Sequence, residues 1–281
     1  MTDSIPSVSP PTVAVLGCGW LGLPLAQALV ALGYRVHGST TTPGQLLTLR
    51  DAGIRPFLLR LAPNLTATDA DTLRAQLQGA DVLVLNVPPT RGAGSPEAYP
   101  ALLRPVAETA AQVGVRHVLL VSSTGVYADE PRLMREPDAQ AAATAAAPLL
   151  QAEALFQGPA HTVVRLAGLM GPGRAPGRFL AGRAGVPHGE APVNLIHLQD
   201  CISLLSRIIE QDLWGYTFNA SAATHPTRRT FYTVAATRLG LQPPTFLEES
   251  AGGKQIDSTL IRELTGYQFR HEDVVAALEY C

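Results

Sequence analysis

Thr12-Val13-Ala14-Val15-Leu16-Gly17-Cys18-Gly19-Trp20-Leu21-Gly22-Leu23-Pro24-Leu25 is the stretch on which the fold turns. Thr12–Leu16 is a short, mostly apolar run that stops at a glycine, the pattern of a buried strand. Beyond it Leu25, Ala28, Leu29 and Leu32 recur at helical spacing, and Gly33 closes the run. Pro24 falls in the first turn of that helix, where proline is tolerated. Between strand and helix, Gly17, Gly19 and Gly22 fit G-x-G-x-x-G. In this setting the first glycine permits a tight turn and the second lets the backbone approach a pyrophosphate. The third allows helix and strand to pack closely, and the helix N-terminus favours the anion. The plain alternative is a strand-to-helix turn without a ligand. The strand before and the amphipathic helix after favour the dinucleotide reading.

The same alternation continues outward. Tyr34–Ser39, Ile54–Leu59, Asp81–Asn86, Arg116–Val121 and His161–Leu166 read as strands. Gln45–Ala52, Thr68–Gln78, Tyr99–Val113 and the Ala-rich Ala139–Phe156 read as helices. Apolar strands alternating with helices predict an α/β fold, a Rossmann-type doubly wound parallel sheet over residues 12–168. Residues 169–281 predict a small C-terminal substrate-binding part, with 194–219 returning to the core. Within it, Gly168 to Pro192 reads as an irregular loop with one helical turn. Asp200–Glu210, Phe231–Leu239 and Val274–Tyr280 read as helices and Tyr216–Asn219 as a strand. Residues 1–11, rich in Ser and Pro, read as a disordered tail without the features of a signal peptide.

Composition narrows the function. The 281 residues are 46% hydrophobic and 16% charged, with a formal charge of −2. That excludes charge-driven disorder and offers no basic field for nucleic acid or an anionic membrane. Cys18, Cys201 and Cys281 lie far apart, which argues against a disulfide framework and suits a reducing cytoplasm. No apolar run is long enough to span a membrane. The seven histidines show no metal-ligand spacing, so no metal is expected. Ser122 and Ser123 do not sit in a G-x-S-x-G elbow, which removes support for a hydrolase.

The end of the second strand bears on cofactor choice. NAD-selective sites place an acidic residue there for the ribose hydroxyls. Here the segment is Gly38-Ser39-Thr40-Thr41-Thr42, and no Asp or Glu occurs between Gly22 and Asp51. Hydroxyls can donate to a 2′-phosphate, and the absent carboxylate removes repulsion, so NADP is preferred and NAD is the alternative. The competing reading makes Thr40–Thr42 a turn that caps the next helix.

Five segments carry a resemblance. They are Asn86-Val87-Pro88-Pro89, Val121-Ser122-Ser123-Thr124-Gly125-Val126-Tyr127, Arg165-Leu166-Ala167-Gly168-Leu169-Met170-Gly171-Pro172-Gly173, Asn194-Leu195-Ile196-His197-Leu198-Gln199-Asp200, and the glycine loop itself. In this order and spacing the chain resembles the extended short-chain dehydrogenase/reductases. These are the NAD(P)-dependent epimerase/dehydratase superfamily, and the closer likeness is to its atypical YeeZ-like branch. The resemblance implies that Gly17, Cys18, Gly19, Trp20, Leu21, Gly22, Ser39, Thr40, Thr41, Asn86, Val87, Pro88, Ser122, Arg165, Leu166 and Ala167 line the cofactor. It places His197 near the pocket floor. Arg174 and Arg178, with Arg183, are candidates for a substrate phosphate or carboxylate, against the plainer reading of a solvated loop.

The family couples a Ser or Thr to a Tyr and to a Lys four residues later, and the Tyr exchanges a proton with substrate as hydride moves. Ser123 matches the Ser. The other two positions fall on Ala145 and Leu149, and Lys254 is the chain's one lysine. Tyr127, four residues after Ser123, is the nearest tyrosine. Ser123 and Tyr127 are therefore the candidate catalytic residues, with pocket walls as the plainer reading of both. The resemblance leans towards an oxidoreductase or epimerase acting on a small or nucleotide-sugar-like substrate without the Tyr-x-x-x-Lys pair. A non-catalytic NADP-binding sensor, regulator or scaffold is the alternative. A homodimer through Tyr99–Val113 and Ala139–Phe156 is the expected assembly.

Overall fold

All five residues of β1 (Thr12–Leu16) and all four of β4 (Val82–Leu85) are buried, as central parallel strands must be when helices cover both faces. The computed structural model describes residues 10–89, 98–140, 147–248 and 252–281. The other strands of the main sheet are β2 (Arg35–Thr40), β3 (Arg55–Leu58), β5 (His117–Ser123), β7 (His161–Leu166) and β10 (Thr217–Ala220). The seven run in the order β10-β7-β5-β4-β1-β2-β3. Ala14 stands opposite His37 on one side and Leu83 on the other, in parallel register. Strand order reverses between β1 and β4, and at such a switch point open α/β sheets bind ligands beyond the strand ends.

By internal packing the chain forms two units. The first holds the chain up to Pro88 and Ala101–Leu119. The second holds Leu120–Cys281 and the stretch ending at Pro100. In the first, α1 (Gly22–Ala31), α2 (Gln45–Asp51) and α3 (Ala67–Leu77) each follow a strand. Helix α1 buries Leu25, Ala26 and Leu29, and the chain leaves it through Gly33 at φ +91°. Helix α4 spans Tyr99–Val113 and is followed by Gly114 at φ +75°.

The second unit departs from expectation in its non-local elements. Ala139–Phe156 is not one helix. Ala139 is extended, α5 is Ala147–Glu153, and Ala154–Phe156 is a single 3₁₀ turn; residues 141–146 lie outside the described residues. Pro148 suits the first turn of α5, and alanine propensity alone does not extend the helix back to Ala139. The Gly168–Pro192 segment is more ordered than expected. Its β8 (Gly168–Met170) pairs in parallel with β9 (Leu195–His197), and α6 is Gly177–Leu180. A second short pair, β6 (Leu133–Met134) with β11 (Gln255–Ile256), had no sequence signal because its strands lie far apart in the chain.

Helices α7 (Leu198–Glu210) and α8 (Arg228–Arg238) match expectation within three residues at either end, and α9 (Thr259–Thr265) was not foreseen. Val274–Tyr280 shortens to a 3₁₀ stretch, Ala276–Tyr280, because Asp273 Oδ1 accepts from the amides of Val275 and Ala276 and tightens the turn. Residues 1–9, most of the expected tail, lie outside the described residues. Among the described residues no helix is long and apolar enough to cross a membrane.

Candidate functional site

The glycine loop of the first unit is shaped by contacts that admit no side chain. Gly17 has φ +92°, and a Cβ there would lie 2.3 Å from Asn86 O. A Cβ on Gly22 would lie 2.1 Å from Gly17 O. Gly19 differs: a Cβ there meets nothing within 4 Å. So the outer glycines are needed to fold the loop, while the middle one faces open space. The amide of Gly17 donates to Ser39 Oγ at 3.2 Å, and Cys18 N donates to Ser39 O at 2.8 Å. Asn86 Nδ2 donates to Gly17 O at 3.0 Å, tying the end of β4 to the loop. Helix α1 starts at Gly22, with Leu21 at its N-cap giving no side-chain cap and with no acidic residue in its first turn. The loop therefore fits a dinucleotide: room in front of Gly19, with an uncapped helix N-terminus beside it for the pyrophosphate.

Cys18 is buried, and burial pushes its thiol up to about 12, which suits packing and not redox chemistry. Its Sγ would lie 2.8 Å from a Cβ on Gly38, so Gly38 makes the space for it. At the end of β2, the hydroxyl of Thr40 donates to Gln45 Oε1 at 2.7 Å and accepts from Thr42 N at 3.1 Å. Ser39 and Thr40 thus have hydroxyls used by the fold, while Thr41 is exposed. Trp20, Leu21, Val87 and Pro88 lie in the same unit as the loop.

The second unit gathers Ser122, Ser123, Tyr127 and Arg165 around side chains that the sequence reading left without a role. Arg165, 6% exposed, grips Glu153 of α5 with Nη2 on Oε2 at 2.7 Å and Nε on Oε1 at 3.1 Å. Its Nη1 donates to Tyr127 Oη at 2.8 Å and to Glu136 O at 2.9 Å. Ser122 Oγ donates to Glu153 Oε1 at 2.6 Å. Tyr127 donates its hydroxyl to Asn219 Oδ1 at 2.6 Å, and Asn219 N donates to Glu136 Oε1 at 2.8 Å. Burial holds the Tyr127 phenol above its ordinary pKa, against the pull of Arg165. Glu153, Glu136 and Asn219 were missed as partners. One signal was available: an arginine inside the apolar strand HTVVRL demands a buried carboxylate, and α5 carries one.

Ser123 caps the 3₁₀ turn Thr124–Val126, its Oγ accepting from Gly125 N at 3.1 Å. A Cβ on Gly125 would lie 3.3 Å from Ser123 Oγ and 3.5 Å from Leu149 Cδ1. A leucine methyl group therefore stands beside this turn. Ala145 lies outside the described residues. Leu166 and Ala167 are buried at the end of β7. Arg174 Nε donates to Leu169 O at 3.0 Å, and Arg178 and Arg183 are exposed. His197 is 1% exposed; its Nδ1 accepts from Gln199 N at the start of α7, so Nε2 donates to Tyr280 O at 3.2 Å. Its ring centroid is 3.9 Å from that of His271.

Comparison with known proteins agrees with this geometry. The model of an NAD(P)H-binding family matches residues 17–195. Protein YeeZ of Escherichia coli (strain K12) is 38% identical over 267 residues, covering 93% of this chain and 96% of that protein. A conserved protein of unknown function from Silicibacter pomeroyi DSS has a solved structure 25% identical, with TM-score 0.74 and coverage of 96% and 97%. UDP-glucuronic acid 4-epimerase from Bacillus cereus, solved with NAD, shares the fold at 17% identity, TM-score 0.75 and 96% coverage of each chain.

Proposed function

Because the chain belongs to the NAD(P)H-binding family and is 38% identical to Protein YeeZ, we propose that it is an NADP(H)-dependent oxidoreductase or epimerase of the epimerase/dehydratase kind. Its substrate class is small or nucleotide-sugar-like. The observation that carries the reading is the contrast within the loop: Gly17 and Gly22 are locked, and Gly19 opens onto space. Bound there, the nicotinamide would supply hydride chemistry. The preference for NADP rests on the missing carboxylate after β2 together with Thr41, since the hydroxyls of Ser39 and Thr40 serve the fold.

Ser123 accepts from Gly125 N and keeps its own proton to donate to a substrate oxygen. Tyr127 acts as a positioning residue that braces Arg165, which in turn holds Glu153. A fold shared with a nucleotide-sugar epimerase supports the substrate class by analogy.

Leu149 beside the Ser123 turn favours a second reading, an NADP-binding sensor or scaffold without turnover. A thermal-shift titration with NADPH, NADP, NADH and NAD tests the shared premise. A ligand at 100 times its Kd adds about 2.7 kcal/mol of stability. The largest shift is expected with the NADP pair. No shift with any of the four overturns both readings. Turnover on a panel of carbonyl compounds and nucleotide sugars then separates enzyme from sensor.

A further inference from the structure

Lysine occurs once among the chain's 21 Lys and Arg residues, at position 254. Arginine supplies the positive charge everywhere else, so a solvated cation with no special task would be arginine here too. Lys254 is half-buried, and loss of hydration holds its amine below the ordinary lysine range, opposed by the charge of Asp129. A compact ammonium with three donors can stand where a forked guanidinium cannot.

The backbone at this point is tightly held. A Cβ on Gly252 would lie 2.7 Å from Pro131 Cβ, and one on Gly253 would lie 3.0 Å from Ala191 Cβ. Lys254 N donates to Asp129 Oδ1 at 3.3 Å. Asn194 brackets the residue: its Nδ2 donates to Lys254 O at 2.8 Å, and its Oδ1 accepts from Ile256 N at 2.9 Å. So placed, Lys254 Nζ donates to Tyr127 O at 2.7 Å. Tyr127 closes the turn after β5, which sets the ammonium at the carboxyl end of that strand, the side on which open sheets bind ligands.

Among the described residues no carboxylate oxygen lies within 4.0 Å of this amine. One of its three donors is used on Tyr127 O. A partly desolvated charge that feels Asp129 but makes no ion-pair contact with it is incompletely compensated, and an incoming anion relieves that cost.

We infer that Lys254 binds an anionic oxygen of the substrate, a carboxylate or a phosphate, with Tyr127 O and Asn194 holding it in place. The word substrate rests on the function proposed above; the anion site does not.

A single lysine makes the test direct. Protein carrying ¹³Cε-lysine gives one lysine resonance, to be titrated with inorganic phosphate and, separately, with succinate. The resonance is expected to move and saturate with one of them, and the arm that saturates identifies the anion class. A resonance unmoved by either through tens of millimolar overturns the inference. Lys254→Met should weaken stabilisation by that anion about tenfold, while its thermal shift with NADPH stays at the wild-type size. Equal anion stabilisation in wild type and variant also overturns it. If the variant does not fold, the titration of the wild-type resonance decides alone. A Lys254 resonance that responds in a protein no dinucleotide stabilises keeps the anion site and removes the dinucleotide reading.

Discussion

The glycine loop and the Arg165 cluster both sit at the ends of parallel strands, yet they are held in opposite ways. In the loop the chain folds on itself over a few residues, and what matters is the absence of side chains: a Cβ on Gly22 would meet Gly17 O at 2.1 Å. Around Arg165 the partners are side chains and carbonyls brought from elsewhere in the chain, with the Glu153 carboxylate, the Glu136 backbone oxygen and, through Tyr127, Asn219 converging from three different elements. At Gly17 and Gly22 the loop tolerates nothing added, and the cluster tolerates nothing removed. A local backbone constraint leaves a spacing motif, whereas a long-range charge network leaves only an out-of-place polar residue.

The largest effect should come from breaking the cluster. Arg165→Met leaves Glu153 buried without its cation and should cost about 3–5 kcal/mol of stability, read by urea denaturation. A loss under about 1 kcal/mol would mean that the pair is better hydrated than its burial implies. Changing Glu153 to Met in the same background should recover part of the loss, because an apolar pair of similar volume strands no charge.

The loop should separate folding from binding. Gly22→Ala forces a Cβ against the Gly17 carbonyl and should lower stability by about 1–3 kcal/mol, together with any dinucleotide-induced thermal shift. Gly19→Ala meets open space, so its stability should change by less than about 0.5 kcal/mol, while the shift with NADPH shrinks. Equal behaviour of the two variants would remove the distinction between a folding glycine and a ligand-facing one.

The smallest effect is in alkali, where both regions should weaken but from different starting points. The folded Cys18 thiol is raised to about 12, so its contribution is whole below the ordinary thiol range and is lost as pH climbs towards 12. Tyr127 is also raised, so its contribution is lost only above the ordinary tyrosine value of about 10. Stability measured against pH should therefore fall more gently in Cys18→Ala from about pH 9. Tyr127→Phe should flatten the curve only at higher pH. Identical slopes in both variants would show that neither group governs alkaline unfolding.

Much of the first unit was legible in the sequence. Its central strands β1 and β4 are short apolar runs and its turns are glycines, so pattern and punctuation place β1 to β4 within a residue or two. The second unit was less so. The strand pairs β6–β11 and β8–β9 join segments far apart in the chain, and a two- or three-residue strand has no period to read. At Ala139 alanine misled in the other direction, since it signals helix wherever tertiary contacts allow it, and Ala139 is extended.

The strand-helix alternation of the first unit and the glycine loop follow from residue type and spacing alone, because each depends on neighbours within a few positions. Tertiary structure decided that Thr40 serves its own turn, that Tyr127 is locked between Asn219 and Arg165, and that the one lysine reaches Tyr127 O across 127 positions of chain. Those outcomes depend on which distant groups share a buried volume. There an unpaired charge or donor is too costly to leave, so packing selects its partner and sequence proximity does not.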